Sequence, residues 1–212
     1  MIKILFFDFD GTISDARNLV LRSLMKIFDN YGYNFPSGRL KKLLGIKIPN
    51  ILKILGVKPK EMNKIRKEFY SLLIKDIYSL KLCTPVAPLW KLKKKYKMVV
   101  ISNSESSFIK KSAKQLKVGR LFTEIHGAEG FSSKDKLLKK LFRKFKIKPK
   151  EAIYIGDRYS DVEYARKASC WAVAIHNKCS WSSVKEIKAQ KPDFIIQDFS
   201  ELNSIIKKIN NS

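Results

Sequence analysis

Two aspartates, Asp8 and Asp10, stand at the end of an almost unbroken apolar run in MIKILFFDFDGTISD. The run from Ile2 to Phe9 predicts a buried strand. Residues two apart on a strand share a face, which would put both carboxylates on one side of it. Neighbouring anions repel and raise each other's pKa, so a cation is expected between them. The glycine of DGT lets the chain turn sharply and face amide N–H groups toward an anion, which makes Gly11 and Thr12 candidate substrate contacts. More carboxylates and hydroxyls end other apolar runs: Ser102, Asn103 and Ser104 after KMVVI, then Asp157 and Asp161 in AIYIGDRYSDVEYARKA. Strand-terminal carboxylates among small oxygen-bearing residues make a hard-cation site, and Mg²⁺ typically takes one or two carboxylates while keeping waters for a substrate phosphate. A carboxylate nucleophile attacking phosphorus is chemistry that such a set supports, and a lysine would complete its charge balance.

Strands and helices must bring these residues together. Strand-like runs recur at Ile2 to Phe9, Met98 to Ser102, Ala152 to Ile155, Trp171 to Ile175 and Phe194 to Ile196, with a weaker one near Phe122 to His126. Helical patterns alternate with them at Glu105 to Leu116, Asp135 to Phe145, Asp161 to Ala168, Ser182 to Ala189 and Ser200 to Ile209. This alternation predicts an α/β protein with a doubly wound, mainly parallel sheet. Ligands in such sheets bind beyond the carboxyl ends of the strands, where the residues above fall. Residues 16–82 contain no strand pattern; apolar stripes ending near Gly32, Gly45 and Gly56, and a longer one from Met62 to Leu80, predict four inserted helices. The expected organisation is therefore an α/β core of residues 1–15 and 83–212 and a helical cap of residues 16–82. Pro85 and Pro88 mark the return to the core.

At 212 residues and 45% hydrophobic composition, the chain is long enough to bury a sizeable core. No segment has a signal-peptide core or the length of a membrane span, and Cys83, Cys170 and Cys179 show neither metal-ligand spacing nor an even count. A cytoplasmic protein is expected. The formal charge of +25 favours anionic partners. The stretch from Lys134 to Lys150, with nine Lys or Arg against one acid, nevertheless carries Leu137, Leu138, Leu141, Phe142 and Phe145 at helical spacing, which reads as an amphipathic helix with a solvated basic face. Nucleic-acid binding rests on charge alone and is not favoured.

The motifs DFDGT, VISNS, the lysine of GFSSKDK and YIGDRYSD occur in the order and rough spacing of the four motifs of the haloacid dehalogenase superfamily. The likeness spans nearly the whole chain and resembles most the phosphoglycolate-phosphatase-like branch, whose helical cap follows the first strand. The resemblance implies a Mg²⁺-dependent phosphatase acting on a small phosphorylated metabolite, as a monomer or dimer. By position, Asp8 would be the nucleophile that forms an aspartyl-phosphate, and Asp10 the acid for the leaving alcohol and then the base for water. Ser102 would hold a phosphoryl oxygen, with Asn103 beside it. Lys134, favoured over Lys136, would neutralise nucleophile and phosphate. Asp157 would bind Mg²⁺ with the Asp8 carboxylate and the Asp10 backbone carbonyl, supported by Asp161. Gly45, Ile46 and Lys47 match a substrate-specificity loop, where Lys41, Lys42 or Lys47 could meet a second anionic group. The third-motif loop reads SSKDK where many relatives carry Lys-Pro, and AIHNKCSW lacks a glycine common there.

Two other readings remain at this stage. A sugar-phosphate mutase shares fold and motifs but typically has a histidine just after the first motif, where this chain reads ISDARNL and has no histidine before His126. A nucleic-acid-binding or end-processing protein is the alternative that the charge suggests.

Overall fold

The computed structural model of the chain describes residues 1–211. A six-stranded, all-parallel sheet runs through it in the order β3-β2-β1-β4-β5-β6. The strands are β1 (Ile4–Phe7), β2 (Lys97–Ile101), β3 (Glu124–His126), β4 (Ala152–Gly156), β5 (Trp171–Ile175) and β6 (Phe194–Ile196). β1 is apolar throughout because helices cover both faces of the sheet, as parallel sheets require. Leu5, Phe7 and Phe9 enter one apolar layer, while Ile4 and Phe6 enter the opposite one. Asp8 and Asp10 follow the second alternation past the end of the strand.

Register then aligns the other strand ends with them. Phe7 pairs with Val100 of β2 and with Ile155 of β4, and the Asp8 N–H still donates to the Ile155 carbonyl at 2.8 Å. Because the chain goes from β1 to one side and later returns to the other, β1/β4 is the topological switch point, where a crevice opens beyond the strand ends.

Four helices lie between β1 and β2: α1 (Arg17–Asn30), α2 (Ser37–Leu43), α3 (Ile48–Ile54) and α4 (Pro59–Lys75). They bury an apolar cluster of their own that includes Leu24, Phe28, Leu40, Ile51, Ile65 and Phe69. The two connections to the sheet run side by side: the Asp15 N–H donates to the Lys81 carbonyl at 2.9 Å and the Cys83 N–H to Ile13 at 3.0 Å. The remaining helices are α5 (Ala87–Lys93), α6 (Ser106–Gln115), α7 (Lys134–Lys144), α8 (Tyr159–Lys167), α9 (Val184–Ala189) and α10 (Leu202–Asn211).

Two differences from the sequence reading concern where elements begin and end. The strand expected from Ile2 to Phe9 is ladder-paired only over Ile4–Phe7, and β2 and β4 begin opposite Ile4. Pro88, expected at the return to the core, falls in the first turn of α5, where a missing N–H costs nothing. α7 begins at Lys134 rather than Asp135, which puts this lysine on the first helical turn, at the strand-end edge.

Candidate active site

Lys134 organises the crevice. Its ammonium, 3% exposed, donates to Asp8 Oδ1 at 2.9 Å and to Asp161 Oδ1 at 2.7 Å. Burial opposes its charge, but the carboxylates of Asp161 and Asp8 outweigh that and hold it above the ordinary lysine value. Lys136, two residues along the same helix, is exposed. Asp161 is committed on both oxygens: Oδ1 also accepts from the Tyr154 hydroxyl at 3.3 Å, and Oδ2 accepts the Arg158 N–H at 3.1 Å. Asp161 thus caps α8 and fixes Lys134.

Asp157 is fully buried and does not cap α8. Its Oδ2 accepts the Trp181 backbone N–H at 2.7 Å and its Oδ1 the Thr12 hydroxyl at 3.1 Å. Burial, reinforced by the charges of Asp8 and Asp161, pushes its carboxyl well up. Burial likewise raises Asp8 to about 7 against the pull of Lys134. Gly11 has φ +90°, and a Cβ there would lie 2.5 Å from Asp157 Oδ2, so only glycine lets the turn approach this carboxylate.

Asp10 differs from the others. Its Oδ2 accepts from the Ser104 hydroxyl at 2.6 Å and more weakly from Ser102 at 3.4 Å, while Oδ1 is buried without a hydrogen-bond partner. Burial raises this carboxyl to about 6, with the two serine bonds opposing.

Oxygens of Asp8, Asp157 and Asp161 lie within 4.8 Å of one another. Lys134 pairs with two of these buried carboxylates, Asp8 and Asp161, and not with Asp157, which leaves an excess of negative charge, and an all-oxygen donor set suits a hard divalent cation. The residues therefore fit Mg²⁺. With Asp161 engaged by Lys134, Tyr154 and Arg158, the direct holders would be Asp8 and Asp157.

Asp8, Asp10, Ser102, Asn103, Lys134 and Asp161 open into one enclosed cavity of about 30 Å³, roofed by Val20, Ile48, Ile51, Phe69 and Leu73 of the inserted helices. Lys47, expected to meet substrate, does not line it. Its ammonium donates to the Ala128 carbonyl at 2.7 Å and to the Phe131 carbonyl, and lies 3.9 Å from the Phe131 ring centroid, so it ties the α2–α3 loop to the core. Thr12, also expected at the substrate, spends its hydroxyl on Asp157. Asn103 lines the cavity, but its amide donates to the Gly45 carbonyl at 2.8 Å. Lys41 and Lys42 are exposed.

The sequence reading gave no role to Ser104, Tyr154, Arg158 or Trp181. Ser104 repeats Ser102 two residues on, and Arg158 stands inside the quoted GDRYSD, so both carried a positional signal. Tyr154 and Trp181 carried none, because an aromatic in a strand or loop reads first as packing.

A fold of this topology with carboxylates at the ends of β1 and β4 and a lysine between them defines a hydrolase class. Residues 5–175 match the family model for haloacid dehalogenase-like hydrolases, and the chain belongs to that family. It is 23% identical over 221 residues to the pyrophosphatase PpaX of Bacillus mycoides, covering 99% of each chain. It is 25% identical over 114 residues to the phosphoglycolate phosphatase of Vibrio parahaemolyticus, covering 52% of this chain and 49% of that one. The fold superposes on a crystal structure of a predicted phosphatase from Clostridium acetobutylicum with a TM-score of 0.84 at 21% identity, covering 98% and 99% of the two chains. No helix among the described residues is long and apolar enough to cross a membrane.

Proposed function

We propose that the chain is a Mg²⁺-dependent phosphatase that hydrolyses a small phosphorylated metabolite through a phosphoryl group carried on Asp8. The observation that carries this reading is the division of labour between two buried carboxylates. Asp8 is held by Lys134, whereas Asp10, which lines the same cavity, keeps one buried oxygen without a hydrogen-bond partner. Mg²⁺, held by Asp8 and Asp157, would offset the negative charge of nucleophile and phosphate. Lys134 does the same from the opposite side and holds the Asp8 carboxyl below the value that burial alone would give it.

The Asp8 carboxylate attacks phosphorus, and the bond from phosphorus to the leaving oxygen breaks. Asp10, raised to about 6 and so protonated in a useful fraction near neutral pH, gives its proton to that oxygen. Water then attacks the phosphoryl group, Asp10 takes its proton, and phosphate leaves with Asp8 restored. Ser102 and Ser104 donate to Asp10 and hold it in place, and both line the cavity that would receive the phosphoryl group. Residues 16–82 act as a cap domain that moves on the paired connections at Asp15–Lys81 and Ile13–Cys83, admits the substrate and shuts out water. The names of the relatives, a pyrophosphatase and a phosphoglycolate phosphatase, support a small anionic substrate. The buried charges at the strand ends support the phosphatase reading over nucleic-acid binding.

Purified protein assayed for phosphate release against a panel of phosphorylated metabolites tests the proposal. Release should require Mg²⁺ and vanish in Asp8→Asn. Activity that survives exhaustive chelation would overturn it.

A further inference from the structure

Arg158 is buried, 8% exposed, at the junction between the carboxylate cavity and a wider polar cavity of about 260 Å³ next to it. Its guanidinium makes no hydrogen bond or ion pair among the described residues, and Nε is sealed from solvent without a partner. Its one polar bond is made by the backbone, from the Arg158 N–H to Asp161. The guanidinium lies 5.6 Å from the Tyr159 ring centroid, and a sealed donor such as Nε without an acceptor is costly, a kind of group that proteins retain chiefly where a ligand completes it. The neighbouring chain makes room for it. Gly45 has φ +81°, and a Cβ there would lie 2.5 Å from Arg158 Nη1 and 2.8 Å from Cζ, so the glycine lets the cap loop close directly over the guanidinium. The indole Nε1 of Trp181, lining the same carboxylate cavity, is a second buried donor without an acceptor.

The geometry points to Arg158, assisted by Trp181 Nε1, as the subsite for a second anionic group on the leaving-group side of the substrate. This rests on the phosphatase reading and narrows its substrate class. The scissile phosphoryl group is served by Lys134 and the serines, which leaves the arginine fork for a carboxylate or another phosphate a few atoms away. Lys47 lines the wider cavity but not the carboxylate cavity, and its ammonium is spent on two core carbonyls, while Lys41 and Lys42 are exposed. The cavity as closed has about 30 Å³, one water's share of liquid volume. A substrate therefore enters with the cap open, and a compact one allows Gly45 to return over Arg158.

The test compares wild type with Arg158→Met and Arg158→Lys on inorganic pyrophosphate, 2-phosphoglycolate and ethyl phosphate, the last lacking a second anion. Arg158→Met should lose at least about tenfold more kcat/KM on one or both anionic probes than on ethyl phosphate, the factor that one charged hydrogen bond supplies. Which probe suffers tells whether the second group is phosphate or carboxylate, and Arg158→Lys should recover part of the loss. Equal losses on all three probes, or no loss, would overturn the proposal. Binding in a background that cannot turn over separates this outcome from failure of the phosphatase reading. With Mg²⁺ present, pyrophosphate or 2-phosphoglycolate should bind Asp8→Asn at least about tenfold more tightly than Asp8→Asn/Arg158→Met. Equal binding would overturn the proposal whatever the catalytic result.

Discussion

Replacing Lys134 by Met removes the one cation that Asp8 and Asp161 share, at 2.9 and 2.7 Å, and leaves both carboxylates buried. Met fills most of the same volume, so the effect is electrostatic rather than a cavity. Breaking a buried pair from one side typically costs about 3–5 kcal/mol. For a chain of this length that lowers the melting temperature by about 6–20 °C. Protonation of Asp8 limits the loss. Burial already raises its carboxyl to about 7, and removing the lysine raises it further, so the folded variant binds more protons than the unfolded chain over the range between the two values. Stability of the variant should therefore fall as pH rises through neutrality, and its deficit against wild type should be larger at pH 8 than at pH 6. Turnover should drop by about 10²- to 10³-fold, the usual loss when one fixed donor to developing charge is deleted. Thermal melts at the two pH values, with steady-state rates, measure all of this. Lys136→Met, an exposed change, should stay within about 0.5 kcal/mol of wild type and keep its rate. A silent Lys134→Met beside a crippled Lys136→Met would refute the reasoning.

Asp10→Asn should slow an alkyl phosphate by about 10²- to 10⁴-fold while phosphorylation by an aryl phosphate, whose leaving group needs little protonation, suffers less; equal losses in phosphorylation rate would contradict the acid role. Gly11→Ala forces a Cβ to 2.5 Å from Asp157 Oδ2 at φ +90°, so Mg²⁺ affinity should weaken, as read by the Mg²⁺ dependence of rate or of melting temperature; an unchanged Mg²⁺ requirement would show that Asp157 does not hold the ion. Lys47→Ala removes the tie from the cap loop to the Ala128 and Phe131 carbonyls. Hydrogen exchange across residues 43–50 should accelerate, and unaltered protection would mean that other contacts hold the loop closed.

The fold was legible because five of the six strands fall on apolar runs and the helices alternate with them, whereas β3, Glu124–His126, gave only a weak signal. The four helices between β1 and β2 were legible from an absence, since residues 16–82 offer helical stripes and no strand. The crevice itself followed from Asp8, Asp10, Asp157 and Asp161 standing at strand or helix ends, and the structure brings all of them together with Lys134. What could not be read was the direction of long side chains. Lys47 stands in the α2–α3 loop, where a substrate contact was expected, but turns to two carbonyls of the core and packs against Phe131. Thr12 follows the nucleophile motif but serves Asp157, a residue far along the chain. Arg158 was hidden for the opposite reason: its significance lies in the partners it lacks, which only burial and the position of Gly45 disclose.

The central claim is that Asp8 carries the phosphoryl group. Asp10→Asn, mixed with Mg²⁺ and an aryl phosphate and quenched at successive times, should trap that species, because the leaving group departs unaided while the base for water is gone. Peptide mapping of the quenched protein should place a phosphoryl group on Asp8, rising early and decaying as phosphate appears, and none in Asp8→Asn/Asp10→Asn. A phosphoryl group on another residue, or phosphate released by Asp10→Asn with no labelled peptide at any time, would contradict the account.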